Sequence, residues 1–210
     1  MSSARAFGLG LLATLGAVTI WGLQIPIGKR VLAEIDGVTL GVLRYTVATL
    51  AFSGLLIWRE GVAALATEGR VRTLWLSGGI GICGSVLLVF AGLSLTRPES
   101  AAIIGALQPA MAVLAQWFLY RKRPAPFTLA CVILAFCGVV LVVSRGGLAF
   151  VDTTLFSPDE LLGNALVFLG SIAWLTYSLA VAPIAHWSSA RVSALTCAFG
   201  MMAAVPIWLV

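Results

Sequence analysis

The sequence predicts an all-α protein, a polytopic bundle of membrane-spanning helices, and three observations carry that expectation. Of 210 residues, 60% are hydrophobic and only 10% charged, whereas soluble domains carry about 25% charge. Mean hydropathy is +1.06. Apolar runs bounded by charge recur along the chain. Each is long enough to cross ~30 Å of hydrocarbon, which takes about 20 helical residues, and none alternates as a barrel strand does.

Seven runs qualify: 7–28, 38–58, 74–95, 100–120, 127–144, 161–185 and 192–210. The first follows a short stretch with a single Arg and is apolar for about twice the length of a signal-peptide core, so it is expected to be a retained span. The second carries Arg44 within it. In the third, Ser77, Gly81 and Ser85 make a small-residue face suited to close helix packing. The fourth has two stripes at helical spacing. One is small or polar (Ala101, Gly105, Gln108, Ala112, Ala115) and faces other helices; the other is bulky (Ile104, Leu107, Met111, Leu114, Phe118) and faces lipid or core. Pro109 in its middle removes a backbone donor next to Gln108 and predicts a kink. The seventh runs apolar to Val210 without a flanking polar anchor, which suggests a fragment or truncated product.

Residues 146–160 form a polar connection containing Gly146, Gly147, Asp152 and Pro158, with five runs before it and two after. Gly10 and Trp21 recur as Gly163 and Trp174 at the same spacing of eleven, and Gln24 aligns with Tyr177. A five-span unit, repeated, must invert in the membrane, as in many secondary transporters. The expected organisation is therefore a first five-helix repeat over 1–145, a linker over 146–160, and the start of a second repeat over 161–210, cut after about two spans.

Lys and Arg in alternate connections set the orientation. One side holds Arg5, Arg59, Arg70, Arg72, Arg121, Lys122, Arg123 and Arg191, eight in all; the other holds four, Lys29, Arg30, Arg97 and Arg145. The bias places the amino terminus in the cytoplasm of a cell with a plasma or inner membrane, against the contrary pair Lys29 and Arg30. The net charge of +5 is dispersed over these loops, as topology requires, so nucleic acid is not an expected partner. Cys83, Cys131, Cys137 and Cys197 lie inside apolar runs without a CxxC spacing and read as packing residues. The sole histidine, His186, is in a loop, and no Asp or Glu lies deep in a span. Neither a metal site nor hydrolase chemistry has its groups, and no cofactor is implied.

The strings TIWGLQIPIGK ending run one, LRY at Arg44, ESAAIIGALQPAMAVLAQWFLYRKRP around run four and FCGVVLV in run five resemble the EamA type of the drug/metabolite transporter superfamily. The resemblance covers essentially the whole chain. It implies ten spans as two five-span repeats, both termini cytoplasmic, and export, or less often import, of metabolites such as amino acids or sugars. Where that family often has Glu after span four, this chain has Lys122. On that plan a complete version needs roughly 80 to 100 further residues at about 20 per span.

Six residues are candidates for substrate binding: Trp21, Gln24, Arg44, Gln108, Trp174 and Tyr177. Arg44 sits about two turns inside its run, where a cation is costly unless it snorkels to the headgroups or meets an anionic group in a cavity; the resemblance also allows it a structural role. Trp21 with Gln24, and Trp174 with Tyr177, lie three residues apart on one helix face. Such pairs suit an amphipathic metabolite; Trp and Tyr are equally at home in an interfacial belt. The expected function is secondary transport of a small zwitterionic or anionic metabolite, such as an amino acid, with export the expected direction. The alternative is a non-transporting membrane protein, an assembly partner or transporter remnant.

Overall fold

The computed structural model describes residues 3–121, 123–143 and 157–209, and every regular element among them is helical. We number seven helices in chain order: α1 Ser3–Val31, α2 Gly37–Glu60, α3 Val71–Leu95, α4 Pro98–Tyr120, α5 Pro126–Val143, α6 Pro158–Ala180 and α7 Ser189–Trp208. Six of them, all except α5, are long and apolar enough to cross a membrane. The fifth expected run, 127–144, is the 18-residue α5, and its last residue lies outside the described residues.

Local chemistry sets the helix ends. Asp36 caps α2, its Oδ1 accepting from the Val38 and Thr39 amides at 2.9 Å, an arrangement that satisfies orphan donors of the first turn. Gly61 ends the same helix at φ 81°, a backbone region open to glycine. Ser157 caps α6, with Pro158 in the first turn and Asp159 and Glu160 on the positive end of the helix dipole. The helix thus begins three residues before the expected boundary at 161; most of the expected linker, 146–156, lies outside the described residues.

α3 is the centre of the bundle. It packs against α6 along one side and α7 along another, while α2 packs against α7. Residues Trp75–Gly84 of α3 form a wide π-helical stretch holding Gly78, Gly79, Gly81 and Gly84. Neighbouring helices come so close that side chains are excluded. A Cβ on Gly81 would lie 2.7 Å from the Tyr177 Cα, and one on Gly78 would strike the Thr196 carbonyl oxygen. Further along, Gly92 and Gly163 face each other, each Cβ position meeting the other's carbonyl oxygen. The expected packing face of Ser77, Gly81 and Ser85 is buried, but it is one of two: Gly78 serves α7 while Gly81 serves α6. Gly10, aligned above with Gly163, has nothing within 4 Å of its Cβ position, so the two glycines have different surroundings.

The bulky stripe of α4 divides. Ile104, Leu107 and Met111 are buried, whereas Phe118 is 81% exposed. Cys83 and Cys197 are packed in the core, but Cys131 and Cys137 lie on the open face of α5, so the packing reading holds for two of the four cysteines.

Polar ties fasten the two ends. At one end Lys29 Nζ donates to the carbonyls of Leu93, Ser94 and Thr96, and Arg97 pairs with Glu160 at 3.0 Å. At the other, Arg191 pairs with Glu68 at 2.7 Å and lies 4.1 Å above the Trp187 ring.

Candidate functional site

A cavity of about 460 Å³ lies between α1, α2, α3, α4, α6 and α7. All six residues selected from the sequence line it. α1 contributes Trp21 and Gln24 from one face; Pro26, two residues beyond Gln24, lacks the amide that would bond the Gly22 carbonyl. α6 contributes Trp174 and Tyr177. The Trp21 and Trp174 rings meet edge to face with centroids 5.5 Å apart, and Trp174 and Tyr177 are 5.0 Å apart at 39°, both within the favourable range for aromatic pairs. The residues taken above as counterparts, Trp21 and Trp174, are thus in contact across the site.

Arg44 reaches the cavity from α2, and its Nη2 donates to Gln24 Oε1 at 2.7 Å. No carboxylate lines the cavity among the described residues. Opposite, α4 is interrupted at Leu107, whose φ of −75° and ψ of −12° separate a segment Pro98–Ala106 from a segment Gln108–Tyr120. The expected kink therefore falls two residues before Pro109, whose missing amide leaves the Gly105 carbonyl without its helical donor. Ala101, Gly105 and Gln108, the first three residues of the small stripe, face the cavity.

Several lining residues were not singled out from the sequence. Tyr45, beside Arg44, is 8% exposed and forms the floor with Ile82, Val86 and Phe90. Ser85, read as a packing residue, also lines the cavity. Ser193, Thr196 and Cys197 line it from α7. Their i, i+3, i+4 spacing in an apolar run was a usable signal, since it sets small polar groups on one helix face.

Residues 8–144 match the EamA-like transporter family. This chain belongs to that family. Among curated proteins, it is 29% identical over 195 residues to the uncharacterized transporter YrdR of Bacillus subtilis (strain 168), covering 91% of this chain and 60% of that protein. It is 28% identical over 158 residues to the uncharacterized transporter YyaM of the same organism, covering 68% and 50%. A solved crystal structure of a protein 23% identical in sequence superposes with a TM-score of 0.66 over 94% of this chain and 66% of that one, a likeness of fold. The chain thus spans about half to 60% of the length of these curated relatives. Family and apolar helices together make it a multi-pass membrane protein.

Proposed function

We propose that this EamA family chain forms the substrate-holding part of a secondary carrier that exports a small zwitterionic or anionic metabolite, such as an amino acid. The observation that carries the reading is the cavity: aromatic walls from Trp21, Trp174 and Tyr177 beside a single cation, Arg44, with no lining carboxylate among the described residues. Its volume suits a small molecule. Flat rings supply contact area, and a guanidinium supplies directed donors for a carboxylate. A carrier exposing such a site to each side in turn needs two movable halves, and the edge-to-face meeting of Trp21 and Trp174 supports an inverted five-span repeat with the site between its units. The loop charge bias supports a cytoplasmic amino terminus.

Uptake and efflux of a radiolabelled metabolite panel, in vesicles bearing the protein, tests the reading. Transport of at least one carboxylated compound is expected. Arg44→Gln should weaken it by roughly 10- to 100-fold, the equivalent of a lost charge-assisted hydrogen bond, while insertion is unchanged. A panel that no vesicle moves would favour the non-transporting alternative.

A further inference from the structure

The sequence suggested Gln24 as a substrate ligand, but its amide oxygen is already occupied, accepting from Arg44 Nη2 at 2.7 Å. Arg44 is the charged residue among those lining the cavity. The ion pairs among the described residues, Arg97–Glu160 and Arg191–Glu68, belong to helix ends and do not reach it. A guanidinium has five N–H donors. Among the described residues only one of these, on Nη2, has an acceptor, and that acceptor is neutral.

An amide and a carboxylate at position 24 hold a guanidinium with nearly the same geometry and opposite electrostatic consequences. The carboxylate would cancel the charge; the amide fixes the cation's position and leaves its field intact in a cavity with largely apolar walls. We propose that Gln24 is a positioning residue that tethers Arg44 to the α1 wall and, by being uncharged, keeps the cavity at one net positive charge, so that it selects compounds bearing a carboxylate or similar anionic group. The substrate clause rests on the carrier reading above; the tether and the potential do not.

The potential is measurable without a substrate. Gly105 lines the cavity and has nothing within 4 Å of its Cβ position, so Gly105→Cys, in protein whose four native cysteines are replaced, gives a thiol probe at the site. The probes are the anionic 2-sulfonatoethyl and cationic 2-(trimethylammonio)ethyl methanethiosulfonates, their rates normalised to a free thiol. With Gln24 in place the anionic reagent should react about 10-fold faster or more at low salt, the preference shrinking as salt rises. Gln24→Glu should bring the ratio near one, as should Arg44→Gln. Gln24→Leu, which removes the acceptor without adding charge, should lower the ratio as the untethered guanidinium moves away, and it serves alone if the Glu variant fails to insert. A ratio near one in protein that keeps both Gln24 and Arg44, or one unmoved by any of these replacements, overturns the proposal. A strong anion preference that Gln24→Leu lowers, in a protein that moves no carboxylate, upholds the tether and overturns the carrier reading instead.

Discussion

The Lys29 ammonium donates to the Leu93 carbonyl oxygen at 2.6 Å, and its other hydrogens reach the carbonyls of Ser94 at 3.0 Å and Thr96 at 2.9 Å. Leu93 and Ser94 lie in the last turn of α3 and Thr96 is its C-cap, where carbonyls lack intrahelical donors and the helix dipole is negative. Lys29 is therefore a cap supplied by a neighbouring helix. Its position, contrary to the loop charge bias, has a structural cause.

Lys29→Met should remove this cap while keeping the side-chain length. The expected cost is about 1 to 3 kcal/mol, since each hydrogen bond to a charged group outweighs a neutral one. Thermal denaturation of the detergent-solubilised protein measures it, and an unchanged midpoint would count against the cap.

Gly92→Ala should also destabilise the bundle. Its Cβ would lie 2.8 Å from the Val167 amide nitrogen and as close to the Val167 side chain, and backbone cannot yield as a side chain does. The expected cost is about 1 to 3 kcal/mol. Gly54→Ala, with open space around it, should be neutral or gain up to about 1 kcal/mol of helix propensity. Equal melting temperatures for the two variants would refute the contact.

A pH prediction comes from the opposite end. The hydrogen bond from Arg191, aided by one from Trp187 Nε1 at 3.1 Å, holds the Glu68 carboxyl below the usual carboxylate range. A lowered folded-state pKa means a contribution present above the unfolded value of about 4.3 and lost as pH falls through the lower folded value. Wild-type protein should therefore melt above Glu68→Gln at neutral pH, and the gap should close below about pH 4. A gap independent of pH would refute the role of the charge.

Orientation is tested by reporter fusion. An enzyme active only in the cytoplasm, fused after Arg123, should work, and one fused within 152–158 should not; the reverse pattern would invert the proposed topology.

Much of this protein was readable in the chain because the bilayer imposes one demand: each crossing must satisfy its own backbone hydrogen bonds. Run lengths alone therefore located the helices to within a few residues, and α6 began early only because Ser157 and Pro158 extend it by capping chemistry. Trp21, Gln24, Trp174 and Tyr177 stood out because aromatic and amide groups share a face at a spacing of three, and Arg44 because a cation in a span needs a partner.

Which partner was a question that sequence left open, since side chains 20 residues apart meet only when two helices are set side by side. Local pattern determined the all-helical class, the helix positions, the family and the small-residue face of α3. Tertiary packing alone decided the rest: that α3 is the centre, with Gly78 and Gly81 serving different neighbours; that Trp21 touches Trp174; that Gln24 binds Arg44; and that Lys29 caps a helix 64 residues away. The physical reason is that such contacts depend on which helix lies next to which and at what rotation. Those choices are made by close packing among many apolar side chains that look alike in the sequence.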